Sequence, residues 1–516
     1  MNVLTPGQVP ILLYAAMFIL PFFFAVSAPA EDLKMDGSYS ALWGKGGELW
    51  TAAGRLPDFS FAGYHSGEAP IPNPAVKGNV RDFGAKGDGE TDDTQAFIQA
   101  IAATEDGALL IPAGRYKITD ILYIRKSNIV LGGEGPDKTV LYFPKALEQI
   151  KPNASATTTG EATSGYSWSG GLIWVQGKPT GRALGTVQTR AARGSSVIEL
   201  DAPAAVTPGQ RVEITLEDTA DQSLIKYIYG GQPGIISQIR NERISFVSRV
   251  TAVDGARLTL QRPLRTDIDP RWKPRVHIYQ PSVTEVGIEN LAFEFPNGRY
   301  RGHFKEDGYN PLTFIGVADC WGRNLRIFNA DSGPFLSGSF ITVENIVYEA
   351  NRPPDNGGNT GHHGFCMGTD NILRNFDFRT KFIHDISVEN SAGSVIEHGR
   401  GVDLCFDNHK HCPFANLYTD IDVGAGTHMY RCGGGAALGR NAGAWTTFWN
   451  IRSRRPQSWP PYDFGPDLMN FVGVTSNEPP VLNPAGRWFE PIPPTELRPP
   501  DLYLAQLARR GIKVRP

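Results

Sequence analysis

The densest group of side chains able to do chemistry lies in EHGRGVDLCFDNHKHC, Glu397 to Cys412. Its sixteen residues hold three histidines, three acids and two cysteines, a mixture that could bind a metal, form a disulfide loop or line a catalytic surface. The clustering extends beyond this stretch, because seven of the ten histidines and four of the five cysteines lie between His362 and Cys432. This part of the chain is therefore the predicted functional region.

Metal binding and a disulfide both involve the cysteines of the stretch. Cys405, His409, His411 and Cys412 follow the spacing C-x3-H-x-H-C, which matches none of the spacings typical of structural zinc. This mismatch disfavours zinc. An odd total of five cysteines leaves at least one thiol unpaired, and both a Cys405–Cys412 disulfide and free buried thiols are compatible with the sequence.

Hydrolysis by two carboxylates is a second possibility, and the two groups stand about 5 to 9.5 Å apart in glycosidases. Asp403 and Asp407 are four residues apart, which is roughly 13 Å along a strand, so they are disfavoured as a pair. Asp420 and Asp422 are two residues apart, which is roughly 7 Å. They are the alternative carboxylate pair, and pairing across neighbouring strands at about 4.8 Å would also be short enough.

Beta-elimination is a third possibility, in which a base removes a weakly acidic proton next to a carboxylate. A guanidinium would neutralise that carboxylate, a histidine oriented by Asp403 or Asp407 would be the base, and Tyr430 or a second histidine would supply the proton. The candidate catalytic residues are His363, His398, Arg400, Asp403 and His409, and the candidate substrate-binding residues are Asp407, Lys410, Tyr430 and Arg431.

The alternation of side chains along a strand sorts these residues by face. In VDLCF the three apolar residues would face inward, so that Asp403, Cys405 and Asp407 would face outward. In FIHDISV, His384 shares the face of Ile386 and is interpreted as a core or rung-end histidine. In LYTDIDV the two aspartates would face outward.

A repeating structure must position these residues. An Asn or Asp precedes an apolar residue at the start of each predicted strand, mostly at intervals of about 20 to 35 residues. The repeat positions are Asn290, Asn324, Asn345, Asn375, Asp385, Asn416 and Asn450. This period indicates a solenoid, whose outward histidines and acids would form a polar strip suited to an extended polymer.

The segment NVRDFGAKGDGETDDTQAFIQAIAA, Asn79–Ala103, predicts a short strand, glycine turns and a helix capped by Asp92 or Asp93, with Phe97 on its apolar face. Followed by LLIPAGRYKI, it resembles the opening of the pectate-lyase superfamily of right-handed parallel β-helices, in which this helix caps the end of the solenoid. The resemblance implies an all-β fold, a right-handed parallel β-helix (solenoid) with an N-terminal capping helix. Alternating strands near residues 181–264 add a small β insertion.

Resemblance to this superfamily implies a secreted enzyme that cleaves an acidic, uronate-containing polysaccharide or oligosaccharide by β-elimination. It leaves open either no required cofactor or Ca²⁺, with oxygen ligands from Asp403, Asp407, Asp420 and Asp422. Lyases of the superfamily commonly use Lys or Arg as base, and the NTD and RIK segments of polygalacturonase-type hydrolases are absent. A glycoside hydrolase on the same fold and a non-catalytic polysaccharide-binding β-helix are the alternatives.

The predicted organisation begins with a secretory signal peptide, because the apolar run Ile11–Val26 precedes a small-x-small site ending at Ala30; an uncleaved anchor is the alternative. The segments are a signal peptide 1–30, an N-terminal arm 31–77, the start of the β-helix with its cap helix 78–180, a β insertion 181–265 that braces the solenoid or binds carbohydrate, central and C-terminal rungs with the site 266–455, and a C-terminal extension 456–516.

A net charge of −3 gives no electrostatic reason for a nucleic-acid partner. We expect a secreted or periplasmic protein with no membrane partner after signal cleavage.

Overall fold

Short apolar runs separated by Gly, Pro and Asn form many short strands in the computed structural model, which describes residues 37–157 and 159–512. The predicted signal peptide and its anchor alternative lie outside the described residues. The strands are β1 (Val76–Asn79), β2 (Asp88–Asp92), β3 (Gly107–Ile111), β4 (Gly114–Lys117), β5 (Leu122–Ile124), β6 (Ile129–Gly133), β7 (Thr139–Tyr142), β8 (Ala154–Ala156), β9 (Ala162–Ser164), β10 (Ile173–Gln176), β11 (Ala183–Thr186), β12 (Val197–Glu199), β13 (Arg211–Glu217), β14 (Arg243–Asp254), β15 (Arg257–Leu260), β16 (Arg275–Ile278), β17 (Val286–Glu294), β18 (Leu312–Ala318), β19 (Trp321–Phe328), β20 (Phe335–Ser339), β21 (Thr342–Glu349), β22 (Gly361–Met367), β23 (Ile372–Phe378), β24 (Phe382–Val388), β25 (Val395–Gly401), β26 (Phe406–Asn408), β27 (Leu417–Asp422), β28 (Thr447–Arg452), β29 (Asn470–Val474), β30 (Val481–Leu482) and β31 (Trp488–Glu490). The helices are α1 (Thr94–Ala103), α2 (Leu147–Ile150), α3 (Ser223–Ile228) and α4 (Leu502–Arg509), with short 3-10 turns at Tyr64–Gly67, Val80–Phe83, Gly165–Ser167, Pro270–Trp272 and Ala436–Leu438.

Two long sheets built by parallel pairing define the architecture. The larger sheet runs β1-β3-β6-β17-β19-β21-β23-β25-β27-β28-β29-β31-β30, with β2, β4 and β7 attached, and only its last pair is antiparallel. The smaller sheet runs β26-β24-β22-β20-β18-β10-β5. From β17 to β27 the chain alternates between the two sheets, so that each turn stacks on the one before it. The predicted right-handed parallel β-helix is therefore confirmed.

A left-handed backbone residue recurs inside the strands of the larger sheet. The row comprises Asn290, Asn324, Asn345, Asn375, His398, Asp420 and Asn450, with φ between 50° and 58°. The residues on either side of each member pair in register with those of the next rung, except that between Asn375 and His398 only the preceding residues, Arg374 and Glu397, do so. Asn tolerates this conformation better than most residues, which explains the repeat in the sequence. The repeat thus marks a bend within the strand rather than its start, and Asp385 and Asn416 do not belong to the row.

Helix α1 forms where the sequence predicts it and places Phe97, Ala100 and Ile101 in the main apolar core. Asp93 is its N-cap residue, but the Asp93 carboxylate accepts hydrogen bonds from the amides of Lys86 and Gly87 in the preceding glycine turn. The acid therefore joins the turn to the helix start. Capping of the coil's end by this helix stays a prediction.

The alternating strands within residues 183–278 form a six-stranded antiparallel sheet, β11-β16-β13-β14-β15-β12. Its apolar core is shared with Phe414, Leu438 and Trp445 of the solenoid. Arg262 donates to both carboxylate oxygens of Asp370, at 2.8 and 2.7 Å, and all these groups are buried. The insertion is thus packed on the solenoid, and its role as a brace or in binding carbohydrate stays a prediction.

The N-terminal arm and the C-terminal helix pack against the larger sheet. Trp43 and Phe59 of the arm share an apolar cluster with Leu502 of α4 and with Val395 and Leu417 of the sheet. The arm is thus packed rather than extended, and it covers sheet residues that the solenoid pattern would leave outside. Within the described ranges no helix is long and apolar enough to cross a membrane.

Asn345 tests the backbone constraint, because it is exposed and has φ 55°. We expect Asn345→Ala to lower the free energy of unfolding by about 1 kcal/mol, since a Cβ without a polar group disfavours the left-handed region. Asn345→Gly should lose less, because glycine adopts positive φ freely. Urea unfolding of both variants measures the difference, and a glycine variant less stable than the alanine variant would contradict the strain argument.

Candidate active site

Five histidine rings meet beside the smaller sheet. His362 and His363 lie on β22, His384 on β24 and His409 directly after β26, whereas His303 comes from the loop between β17 and β18. The ring centroids of His362 and His363 are 4.0 Å apart, and those of His303 and His362 are 4.5 Å apart. His384 lies 5.0 Å from His363 and 5.4 Å from His409. We call these five residues the histidine cluster.

The buried carboxylate of Asp407 organises one side of the cluster. It accepts hydrogen bonds from Nδ1 of His409 (2.7 Å), Oγ of Ser387 (2.9 Å) and the amide of Gly433 (2.7 Å). Nδ1 of His384 lies 3.2 Å from the same carboxylate. Burial alone would raise the pKa of Asp407, but the nearby histidines and these hydrogen bonds hold it well below the usual range. Asp407 is therefore a fixed negative charge.

Burial decides the charge state of most of the rings. Desolvation lowers the pKa of His384 to about 3 and that of His303 to about 4, and it lowers the pKa of His363 well below the usual value. These rings are neutral near pH 7. Burial also disfavours charge on His409, but the charge and hydrogen bond of Asp407 outweigh it and raise the pKa of His409. The cluster thus combines neutral rings with one ring that is polarised by a carboxylate.

The other side of the cluster borders a cavity of about 310 Å³. Tyr300 and Glu306 line it, and the Tyr300 hydroxyl donates to Oε1 of Glu306 at 2.5 Å. The same oxygen lies 3.5 Å from Nδ1 of His362. The cationic lining residues are Arg299, Arg301, Lys305 and Arg352. Asp307 and Asp331 also line the cavity and pair with Arg301 and Arg352, so the lining has only a small excess of positive charge for an anionic group.

Two rings of the cluster and the neighbouring Arg431 reach the surface. His303 and Arg431 are exposed, and the His409 side chain is 25% exposed. The Arg431 guanidinium donates to the carbonyl of Ile383, the residue before His384. Position 433 requires a glycine, because a Cβ there would clash with Cε1 of His409. A ligand could therefore reach the His409 ring of the pair with Asp407 from solvent.

The structure brings together His363, Asp407 and His409 of the predicted residues and places Arg431 at the rim. The remaining predicted residues lie elsewhere. His398 belongs to the bent row of the larger sheet, where its Nδ1 is 2.8 Å from Asp420 and its Nε2 is 2.9 Å from Asp501 at the start of α4. The Arg400 guanidinium donates to the carboxylate of Asp377 in the neighbouring rung. His398 and Arg400 both lie on β25 of the larger sheet, so neither residue joins the cluster.

The other predicted residues have local partners. Asp403 accepts from Oγ1 and the amide of Thr427, and Lys410 donates to the carbonyl of Gly439. Tyr430 donates to the carbonyl of Ser458 and packs on Phe464. In the alternative pair, Asp420 is held by His398 and by Arg452, and Asp422 accepts from the amide of Gly424.

The assignment of faces by alternation is wrong where the chain changes sheet. VDLCF is not one strand, because β25 ends at Gly401 and β26 begins at Phe406. Val402, expected inside, is 40% exposed, whereas Cys405 and Asp407, expected outside, are buried. His384 was expected in the core, and it is buried among histidines instead. Alternation holds only along a continuous strand.

Neither the zinc arrangement that the sequence disfavoured nor the disulfide that it left open is assembled. All five cysteines are free thiols, so the Cys405–Cys412 disulfide is not formed. His409 joins Asp407 and His411 faces Glu242, which separates the four residues of the C-x3-H-x-H-C pattern. The four acids predicted as calcium ligands have the different partners given above, and a calcium requirement stays a prediction.

Sequence reasoning missed His303, Glu306 and Ser387 and assigned His384 to the core. His303 and Glu306 lie about sixty residues before the histidine-rich region, on a loop that only the coil brings beside it. The pair of histidines at 362 and 363 was the one sequence signal for these missed residues. It shows that β22 carries polar rings, but it does not show which residues those rings contact.

The comparisons with known proteins bear more on the fold than on the candidate active site. Residues 78–170 match the family described as rhamnogalacturonase A/epimerase, pectate lyase-like. Alginate lyase 7 of Azotobacter vinelandii is 36% identical over 100 residues, which are 18% of this chain and 12% of that protein. Mannuronan C5-epimerase AlgE4 of the same organism is 34% identical over 97 residues, which are 17% of this chain and 18% of that protein. The chain thus spans less than a fifth of the length of either of these curated relatives.

The solved structures that match include tailspike gp49 from Pseudomonas phage LKA1, which is 12% identical in sequence. The match covers 77% of this chain and 63% of the tailspike chain, with a TM-score of 0.48. An exopolygalacturonase from Thermotoga maritima is 11% identical, covers 78% and 72%, and has a TM-score of 0.32.

The protein is therefore a parallel β-helix protein. The resemblance to the pectate-lyase-like superfamily is confirmed by the match over residues 78–170. The histidine cluster lies outside the matched range, so its chemistry must be argued from its own geometry.

His398 gives a pH prediction for the larger sheet. Hydrogen bonds to Asp420 and Asp501 raise its pKa to about 10, above the ordinary value of 6.5. Its contribution to folding is thus complete below pH 6.5 and is lost as the pH rises through about 10. The neighbouring charged groups are Asp420, Asp501, Glu397, Arg374 and Arg452. Burial raises the pKa of Glu397 from 4.5 to about 8. Folding stability therefore also falls at this residue as the pH rises, over the range from about 4.5 to 8.

We expect the melting temperature of the protein to fall more steeply between neutral and alkaline pH than that of His398→Gln, measured by scanning calorimetry. His277→Gln, in the insertion strand β16, is the matched control and should follow the unaltered protein. Equal slopes for the unaltered protein and His398→Gln would contradict the proposed ionic attachment of α4.

Proposed function

We propose that the protein is a secreted enzyme that acts on an acidic, uronate-containing polysaccharide by β-elimination at the histidine cluster. The observation that carries the proposal is the pairing of His409 with the buried carboxylate of Asp407 beside the exposed Arg431. A histidine whose Nδ1–H is held by a carboxylate presents Nε2 as an acceptor. A nearby guanidinium supplies the charge that a substrate carboxylate needs.

The reaction follows from these groups. Nε2 of His409 takes the proton from the carbon next to the uronate carboxylate, and Asp407 stabilises the imidazolium that forms. The electron pair of the broken C–H bond forms the new carbon–carbon double bond as the glycosidic C–O bond breaks. The leaving oxygen takes a proton from water at the exposed end of the site. Arg431 binds the carboxylate during these steps, because charge builds up there when the proton leaves.

The cationic cavity supports a polymeric acidic substrate. Arg299, Arg301 and Lys305 lie on the loop that also carries His303, and Arg352 lies on the wall of the same cavity. Carboxylates of neighbouring sugars would find positive charge there. We therefore assign the cavity to substrate binding.

The alternative hydrolase is less well supported by the carboxylates. One acid of a glycosidase pair needs a raised pKa so that it can protonate the leaving oxygen. Burial would raise the pKa of Asp420, but hydrogen bonds and charge from His398 and Arg452 outweigh it and lower the pKa. Asp420 is thus a poor general acid, and its partners attach α4 to the sheet.

The matched relatives support the uronate class of substrate. An alginate lyase and several mannuronan C5-epimerases are among them. Elimination and epimerisation both begin with removal of the proton next to the carboxylate, and they differ in whether the glycosidic bond then breaks. Epimerisation at the same base is therefore the second candidate function.

The test is turnover of a panel of uronate polysaccharides, followed by the ultraviolet absorbance of the unsaturated product. We expect His409→Asn to lower turnover by about 100- to 10,000-fold, the usual contribution of a positioned base. His411→Asn is the matched control on the same segment, since His411 faces Glu242 away from the cluster, and it should retain turnover. Circular dichroism verifies that both variants are folded.

Other results would separate the alternatives. New reducing ends without absorbance would show hydrolysis, and incorporation of solvent deuterium without chain cleavage would show epimerisation; either result overturns elimination. Full turnover by His409→Asn, with loss in His398→Gln, would move the chemistry to the other sheet and contradict the site itself.

A further inference from the structure

Three rings of the histidine cluster have the spacing of metal ligands. His303, His362 and His384 each offer a ring nitrogen, and these nitrogens lie within 4.8 Å of one another. They come from three different segments, namely the loop after β17, strand β22 and strand β24. Three imidazoles on separate elements that converge in this way form a donor set that a single ion can fill.

Two of the rings each have a carboxylate at the nitrogen Nδ1. Nδ1 of His362 lies 3.5 Å from Oε1 of Glu306, whose position is fixed by the hydroxyl of Tyr300. Nδ1 of His384 lies 3.2 Å from Oδ2 of Asp407. Metal-bound histidines commonly present their second N–H to a carboxylate, which fixes the ring and its tautomer. This orientation leaves Nε2 of both rings for a ligand.

Apart from these carboxylate contacts at Nδ1, the two rings make no hydrogen bonds within residues 37–157 and 159–512, so Nε2 of each is unpartnered although only 1% of His362 and 4% of His384 is exposed. Leaving buried polar nitrogens without partners is unfavourable. A bound ion at Nε2, together with the carboxylates at Nδ1, would satisfy both rings. The unpartnered nitrogens are an observation separate from the convergence of the three rings.

The geometry points to a site for Zn²⁺ held by His303, His362 and His384. Neutral imidazole nitrogens suit zinc and neighbouring transition metals, whereas Ca²⁺ and Mg²⁺ take oxygen ligands. Three histidines leave the fourth tetrahedral position open for water or substrate, as in catalytic zinc sites. The carboxylates of Glu306 and Asp407 balance the charge of the ion, and exposed His303 provides the entry path.

A second donor set, His384, Asp407 and His409, shares one ring with this site. The Asp407 carboxylate already accepts three hydrogen bonds, from Ser387, His409 and Gly433. Coordination there would have to break the pair of His409 with Asp407. The three-histidine set requires no such change, and we therefore favour it.

The role of the ion rests on the proposed function. With its fourth position open at the border between the cluster and the cationic cavity, the ion would bind a carboxylate oxygen of the uronate. Arg431 would then hold the substrate from the rim, and His409 would remain free to take the proton. Binding of the ion itself does not depend on this reaction.

The experiment is a titration of the chelator-treated, full-length folded protein with Zn²⁺ by calorimetry, and with Co²⁺ by visible absorption. We expect one equivalent to bind, with the intense spectrum of a four-coordinate Co²⁺ site. Glu306→Gln should weaken binding by about 10- to 100-fold, as loss of an outer-shell partner does, and His362→Gln should weaken it further. His411→Gln is the matched control, a histidine outside the cluster that faces Glu242, and should bind as the unaltered protein does.

The outcomes separate the two proposals. Absence of stoichiometric binding by the unaltered protein, or binding that survives in His362→Gln, would overturn the zinc site even if the polysaccharide is cleaved. Binding that is lost in His409→Gln but kept in His303→Gln would assign the ion to the other donor set and overturn it too. Stoichiometric binding with the expected variant effects would support the site even if no uronate polymer is a substrate.

Discussion

The constraint on which the rest of the structure depends is that the strands of the larger sheet from β17 to β28 bend at the same place. One residue in each of these stacked strands adopts the left-handed conformation, and Asn occupies most of these positions. His398 and Asp420 occupy two of them and face each other across adjacent rungs. Asp501 reaches the same histidine from the start of α4. The bend that shapes the coil thus also fixes the C-terminal helix to its side.

This attachment decides which surface of the coil is available. The arm and α4 cover the outward residues of the larger sheet near Val395 and Leu417, and the antiparallel insertion is joined to the solenoid through Arg262 and Asp370. The charged groups around His398 therefore serve packing. Polar residues of the smaller sheet remain accessible at the histidine cluster, where His303, His409 and Arg431 reach solvent.

Within the cluster, one buried carboxylate sets the properties of its neighbours. Asp407 stays ionised because an amide, a hydroxyl and a histidine donate to it. Its negative charge favours protonation of His409, while deeper rings are neutral because they are desolvated. Rings of the same type thereby differ in charge, with one ring at the rim that favours protonation and neutral rings inside. The difference comes from depth and from contact with Asp407, and not from residue type.

The sequence by itself determined the architecture, because the strand pattern, the recurring Asn and the segment after Asn79 all reflect local backbone requirements. It also pointed to the stretch between His362 and Cys432, where most of the histidine cluster lies, and it named His363, Asp407, His409 and Arg431, whose part in catalysis stays a prediction. It could not separate these from His398 and Arg400, which lie as near in sequence but on the other sheet. Nor could it include His303, which a loop delivers from a distant segment. Only the tertiary structure decided which residues belong to the histidine cluster, because the alternation of side chains along a strand ends where the coil turns from one sheet to the next.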